Sequence, residues 1–152
     1  MSDEAAIDAA MAVMEAGFDP HWREAWSRGQ LADSLAFPST QLLLVDERGT
    51  PRGHGPAAAF VLSRQALDEE ELLLIAVHPD HRERGLGTRV MQLYIDGALR
   101  RGVRRIFLEM RANNPARALY RRCGFVPVGT RPRYYRTLTG EAIDAITFAR
   151  RL

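Results

Sequence analysis

The sequence predicts an α/β fold, a mixed sheet with helices on its faces. Three observations carry this reading. Leu72-Leu73-Leu74-Ile75-Ala76-Val77 is a short apolar run bounded by His78-Pro79-Asp80, the pattern of a buried strand. Directly after it, Arg82-Glu83-Arg84-Gly85-Leu86-Gly87-Thr88 opens a segment in which Val90, Met91, Leu93, Tyr94 and Leu99 recur at helical spacing. The order along the chain is two helices, a meander of strands, then βαβαββ.

Each element has a local reason. Ala5–Gly17 carries Ile7, Met11 and Met14 at helical spacing, with Ser2 or Asp3 as cap and Gly17 as stop. Pro20 places Phe18–Trp22 in a loop, and Arg23–Leu35 reads as a second helix. Thr40–Asp46 and Pro56–Ser63 read as strands around an Asp46–Gly55 turn rich in Gly and Pro. The strand Glu71–Val77, the helix Leu86–Arg101 and the strand Arg104–Met110 follow. Asn114–Arg122 reads as a short helix with Pro115 at its first position and Gly124 near its end. Phe125–Val128 and Ala142–Phe148 are the closing strands.

Composition narrows the chemistry. At 152 residues, one domain spanning 1–152 is expected. The chain has no lysine, so a Schiff base or a P-loop lysine is excluded. A single cysteine, Cys123, excludes an internal disulfide and a Cys-based zinc site. His21, His54, His78 and His81 lack metal-type spacing, so no metal is expected. No apolar run reaches the roughly 20 residues of a membrane helix, and the acidic start is unlike a secretory signal. The expected compartment is the cytoplasm. Charge is divided unevenly: residues 1–81 carry net −9 and residues 82–152 net +11. The basic half suits an anionic ligand. It lacks the aromatic-interleaved pattern of a nucleic-acid module outside Arg131–Arg136, so nucleic acid is not the expected partner.

The turn after the buried strand is the leading candidate site. A glycine-rich turn feeding a helix start presents unpaired backbone N–H groups and the positive end of a dipole, which suits a phosphate or pyrophosphate. Its pattern is R-x-x-G-x-G. The glycine spacing differs from the dinucleotide fingerprint. Glu109, at the C-terminal end of a strand, reads either as a carboxylate that is solvated or paired with one of the many arginines, or as a general base acting directly or through a water. Tyr120 alone reads as a core residue with a satisfied hydroxyl, and otherwise as a proton donor. Strand alternation puts Tyr134 and Tyr135 on opposite sides, able to line a groove or to pack. Cys123 reads as a packed small residue.

Together these pieces resemble the GNAT superfamily of N-acetyltransferases, from about Gln41 to the end and most strongly over Leu67–Phe148. R-x-x-G-x-G after a buried strand is similar to that family's acetyl-CoA pyrophosphate motif. Asn113-x-x-Ala116-x-x-Leu119-Tyr120 followed by Gly124-Phe125 is similar to its second signature. Within the superfamily the chain resembles the RimI-like ribosomal-protein-alanine N-acetyltransferases. The residues that carry this are Leu67-Asp68-Glu69, Ile75–Pro79, Leu108–Ala112, Arg133-Tyr134-Tyr135 and Asp144-Ala145.

The resemblance implies a mostly antiparallel sheet of six or seven strands with helices on both faces. It implies acetyl-CoA as cosubstrate, held by Ile75, Ala76, Val77 and Arg82, Glu83, Arg84, Gly85, Leu86, Gly87, Thr88. Glu109 would be the base, Tyr120 the acid, and Tyr134 and Tyr135 would meet the acceptor. The cofactor-binding asparagine falls at Asn113 counted back from Tyr120, and at Asn114 counted forward from Glu109; Asn113 is the favoured match. Departures are the missing first strand, the shortened stretch before Tyr120, and Thr88 in place of a frequent arginine. The implied acceptor is a protein N-terminal α-amine, that of a ribosomal protein beginning with alanine. A small-molecule amine or a lysine side chain is the alternative acceptor. A non-catalytic acyl-CoA-sensing or nucleic-acid-binding module is the alternative of another class.

Overall fold

The computed structural model describes residues 3–52 and 55–152; the candidate cap Ser2 and His54 lie outside the described residues. The elements are α1 (Asp3–Gly17), a 3-10 turn (Pro20–Trp22), α2 (Arg28–Leu35), β1 (Thr40–Val45), β2 (Pro51–Arg52), β3 (Ala59–Ala66) and β4 (Glu69–Val77). A second 3-10 turn (Pro79–His81) precedes α3 (Leu86–Arg100), β5 (Arg105–Arg111), α4 (Arg117–Arg122), β6 (Val126–Arg136) and β7 (Ala142–Arg151).

Seven strands form one sheet in the order β2-β1-β3-β4-β5-β7-β6. The β4–β5 pair is parallel and every other pair is antiparallel. Both faces are covered. On one, Ile7, Ala10, Val13 and Met14 of α1 and Leu31 of α2 bury Leu44, Phe60, Leu62, Leu74 and Ala76. On the other, Val90, Met91, Tyr94, Ile95 and Ala98 of α3 bury Val61, Leu72, Ile106, Leu108 and Met110, joined by Tyr120, Phe125 and Phe148.

α4 begins at Arg117 where the sequence reading had Asn114, and β2 lies within the expected Asp46–Gly55 turn; two larger differences from that reading shape the site. The helix read over Arg23–Leu35 starts only at Arg28. Ser27 and Gln30 form a capping box: Ser27 Oγ accepts from Gln30 N at 3.1 Å, and Gln30 Oε1 accepts from Ser27 N at 2.8 Å. A reciprocal cap fixes the start of the helix and leaves the preceding residues outside it. Arg23 adopts φ 57° to close the 3-10 turn. The strand read as Phe125–Val128 extends to Arg136. Pro127, Gly129 and Pro132 look like loop residues, yet β6 is an edge strand with two register shifts, where prolines are tolerated.

The β4–β5 contact is the critical one. The strands pair only through Glu69–Arg105, Glu70–Ile106 and Glu71–Phe107. Beyond that β4 carries an irregularity: Leu62 faces Leu74 while Ser63 faces Leu72. Leu73 is thus an extra residue, and a bulge bends and twists its strand. From Leu72 onward β4 and β5 diverge and a gap opens between them.

Behind the closed end of that gap lies an ion pair. Glu70 is fully buried, and Arg101 Nη2 sits 2.8 Å from its Oε1 and 2.7 Å from its Oε2. Burial pushes the neighbouring Tyr94 phenol far up, and the Glu70 charge adds to this. Removing one partner from a buried pair leaves an uncompensated charge. Arg101→Met is therefore expected to destabilise the fold by about 3 kcal/mol, read as a lower urea midpoint. An unchanged midpoint would show that the pair does not secure this end of the sheet.

Candidate active site

The gap between β4 and β5 is the mouth of a cleft of about 960 Å³. Its walls are Leu72–Val77 of β4, Leu108–Arg111 of β5, the segment from Asn114 to Tyr120, the turn before α3, and residues 17–26. The 23–26 stretch lines it because Ser27 holds it out of α2.

The backbone of β4 is turned to use this gap. His78 N donates to Ala58 O at 2.7 Å, across the β3–β4 ladder. Opposed residues of an antiparallel ladder alternate between bonded and non-bonded pairs. With Ala59 opposite Val77 and Val61 opposite Ile75, those two residues direct N–H and C=O away from β3, into the cleft. The Val77 carbonyl accepts from Arg82 Nε at 3.2 Å.

At the start of α3, Gly85 is the N-cap with φ 76°, and no side chain caps the helix. The first N–H groups of α3 are therefore open to a ligand, at the positive end of a 15-residue helix. Glu83 also takes a left-handed conformation, φ 62°. Arg82 fixes the turn, its Nη2 donating to Gly17 O at 2.6 Å. Thus the turn after β4 is tied to the end of α1. Of the residues Arg82–Thr88, all line the cleft except Arg84, which is exposed. These features fit a ligand with a pyrophosphate at one end and a strand-like, amide-bearing arm beside β4.

Glu109 and Tyr120 reach the same cleft from opposite sides. Glu109 projects from β5 and is partly shielded; its Oε2 lies 3.2 Å from Arg131 Nε and 3.5 Å from Thr147 Oγ1. Tyr120 is both core and wall. Its ring packs against Phe125 and Phe148, with centroids 6.1 and 6.2 Å away, while the residue also lines the cleft. Burial, with the Glu24 charge next, pushes its phenol well above the ordinary value, so it stays protonated. Tyr135 also lines the cleft and is pushed up to about 12 by burial first, then by Glu109 and Glu24. Cys123 is buried, and that burial raises its thiol, which removes it as a nucleophile.

Besides Arg84, two candidates fall outside the lining. The cleft takes Asn114, not the favoured Asn113. Asn113 Oδ1 instead accepts from Arg111 Nη1 at 2.9 Å, while Asn114 Oδ1 accepts from Ala116 N at 2.9 Å and shapes the turn into α4. Tyr134 stands behind the wall, its ring edge-on to Tyr135 at 5.2 Å. Three further residues belong to the site. Arg111 Nε is 3.0 Å from Glu24 Oε1, and its guanidinium lies 3.8 Å from the centre of the Trp22 ring. The sequence hid Trp22 and Glu24, since one falls in a proline loop and the other in an over-extended helix. Arg111 follows the Glu109-Met110 pair on β5, but nothing local marked it as a partner of Glu24.

The acetyltransferase (GNAT) family model matches residues 11–125. The chain belongs to this family. It is 42% identical over 97 residues to the ribosomal protein bS18-alanine N-acetyltransferase of Escherichia coli K12. That match covers 63% of this chain and spans 65% of the length of the relative. It is 36% identical over 126 residues to the N-alpha-acetyltransferase RimI of Mycobacterium tuberculosis, covering 82% of this chain and 75% of the relative. The crystal structure of the ribosomal-protein-S18-alanine N-acetyltransferase from Escherichia coli superposes with a TM-score of 0.79 at 29% identity, over 98% of this chain and 88% of that one. The split seven-stranded sheet is thus the GNAT fold.

Two outcomes follow from this geometry. A Cβ at Gly87 would meet Leu119 Cδ2 at 3.5 Å, an ordinary contact. Alanine is also the better helix residue, by about 1 kcal/mol. Gly87→Ala is therefore expected to raise the melting temperature; if the helix start holds a phosphate, the added methyl on the cleft lining would also weaken acetyl-CoA binding, as calorimetry would show. Retained affinity would dismiss the helix start as the phosphate site. Glu71 supplies the second. Burial raises its carboxyl above the ordinary 4.5, with Arg64 opposing and Glu109 adding. Such a group binds its proton more tightly when folded, so its stabilisation is present below 4.5 and is lost as the pH rises through the folded value. Glu71→Gln should raise the melting temperature near about pH 7 and not near about pH 4; the opposite pattern in a thermal scan would reject this sign.

Proposed function

We propose that the chain is an acetyl-CoA-dependent N-acetyltransferase acting on a protein N-terminal α-amine, with the terminal alanine of a ribosomal protein as acceptor. Residues 1–152 would form one such domain, working in the cytoplasm. The observation that carries the reading is the convergence of an uncapped helix start, inward-facing N–H groups at Ile75 and Val77, Glu109 and Tyr120 on one cleft. The names of the Escherichia coli and Mycobacterium tuberculosis relatives support the choice of acceptor.

Each residue has a physical task. The turn Arg82–Thr88 would hold the pyrophosphate, and the backbones of Ile75 and Val77 would hold the amide-bearing arm, that of Ala76 being turned to Phe60 of β3. Acetyl-CoA supplies the thioester carbonyl that the amine attacks. The Val77 N–H is the donor for the oxygen on which negative charge develops. Glu109 takes the proton of the attacking amine, directly or through a water. An α-amine, with a pKa near 7.7–8.0, gives it up far more readily than a lysine near 10.4. Tyr120, protonated before the reaction, donates a hydrogen bond and then its proton to the departing sulfur, which leaves as the thiol. No side chain on the cleft is placed as a covalent nucleophile among the described residues, so attack is direct.

The test is acetyl transfer to a peptide beginning Ala-Arg, set against its Nα-blocked form and against small amines. Transfer is expected only with the free N-terminus, with kcat/KM climbing as the pH rises through the amine's own pKa. Glu109→Gln should lower kcat by about 10² or more with acetyl-CoA affinity retained. Tyr120→Phe should lower kcat while the fold persists, since only the hydroxyl is lost. Equal activity on the blocked peptide would sink the acceptor assignment, and an unchanged kcat in Tyr120→Phe would remove the acid.

A further inference from the structure

Between Arg131 and Tyr135 the register of β6 slips. Arg131 faces Ala145 and Tyr135 faces Ile143, so Pro132, Arg133 and Tyr134 stand opposite the single residue Asp144. The bulge is pinned. Arg133 takes φ 55°, and its N–H donates to Asp144 Oδ1 at 2.8 Å. Bulges near active sites re-aim side chains. Here the re-aimed pair is Arg131 and Tyr134, with the guanidinium over the Tyr134 ring at 5.1 Å from its centre. From that seat Arg131 Nε reaches Glu109 Oε2 at 3.2 Å, and Thr147 Oγ1 approaches the same oxygen at 3.5 Å. Both contacts fall on Oε2; no described hydrogen bond or ion pair engages Oε1.

We infer that Arg131 is a positioning residue for Glu109: seated on Tyr134 by the β6 bulge, it fixes Oε2 and leaves Oε1 to the acceptor amine or its bridging water. This rests on the reading of Glu109 as the base. The surroundings show why a cation is needed there. Glu71 on β4 and Glu24 in the 23–27 segment also bring carboxylates toward this end of the cleft, and the Glu71–Glu109 repulsion is opposed by Arg64 and Arg131. A carboxylate facing others of its kind is pushed aside unless something holds it. The Arg131 side chain is 62% exposed, so its ion pair contributes little to stability. Its removal should act on the reaction and leave folding alone. Tyr134 thereby gains a task without touching the cleft.

The experiment is a double-mutant cycle on acetyl transfer to the Ala-Arg peptide, with Arg131→Gln, Arg131→Lys, Glu109→Gln and the Arg131→Gln/Glu109→Gln pair. Arg131→Gln is expected to lower kcat about tenfold with the KM for acetyl-CoA unchanged. Arg131→Lys should recover most of the loss, because an ammonium still binds one carboxylate oxygen, without the guanidinium fork. In the Glu109→Gln background Arg131→Gln should add nothing. An unchanged kcat in Arg131→Gln, an equal loss in both backgrounds, or a rise in acetyl-CoA KM that accounts for the loss would each overturn the inference while the base reading stood. Absence of transfer by the wild type would overturn the base reading and the inference with it.

Discussion

Everything at this site depends on β4 and β5 pairing for three residues and then parting. A parallel pair that ran its full length would join Ile75 and Val77 to β5 and leave no cleft. Instead the Leu73 bulge turns β4 away, and the N–H groups of Ile75 and Val77 are left without a strand. Backbone groups left unpaired are unfavourable in a folded protein unless water or a ligand satisfies them. The split is sustained by packing on both sides of it. The α1/α2 face grips β4 through Leu74 and Ala76, and the α3 face grips β5 through Ile106, Leu108 and Met110. The buried Glu70–Arg101 pair ties the closed end of the fork, where β4 and β5 still touch, to the C-terminal end of α3.

Charge is distributed along the cleft in keeping with this frame. At one end are the open N–H groups of α3, with Arg82 and Arg122 also on the lining. Glu24 and Glu109 are on the lining too, each paired with an arginine. The chain has 21 basic residues and all are arginine. A guanidinium keeps its charge when partly buried and offers several fixed donors, whereas a lysine would be neutralised more readily. Arg111 illustrates the use: buried, it serves Glu24, Asn113 and the Trp22 face at once.

What could be read from the sequence was whatever is encoded locally. The change from a continuous apolar run to helical spacing at Gly85–Gly87 marks β4, the turn and α3 without any tertiary information. Glu109 and Tyr120 each looked ordinary, and only their spacing from one another and from the glycine turn, matched to a family pattern, gave them roles. Elements decided by distant partners were harder. A helix from Arg23 is incompatible with the Ser27/Gln30 box, which starts α2 at Arg28. The length of β6 was masked by Pro127, Gly129 and Pro132, because an edge position can only be recognised once the strand order is known. Asn113 and Asn114 are adjacent with the same chemistry, and the choice between them turns on Arg111, whose guanidinium engages one of them.

Tyr120 joins fold and reaction most closely. Its ring fills the α3-side core against Phe125 and Phe148, and the same burial that stabilises the core raises its phenol. A raised phenol is a poor donor of a whole proton to a free thiolate, whose own pKa lies near 8.5. Full transfer would run uphill if the sulfur were in water. In the proposed reaction the thiolate would be desolvated inside the cleft as well, and desolvation raises its affinity for the proton by the same mechanism. The two pKa values are thereby brought closer together, and a hydrogen bond between groups of similar affinity is strong where water is excluded. In the proposed reaction Tyr120 therefore acts by stabilising the sulfur as the bond to carbon breaks, with the proton following as that charge grows. Its depth in the core supports this role, since a more exposed tyrosine would be a stronger acid in water but a weaker partner for a buried anion.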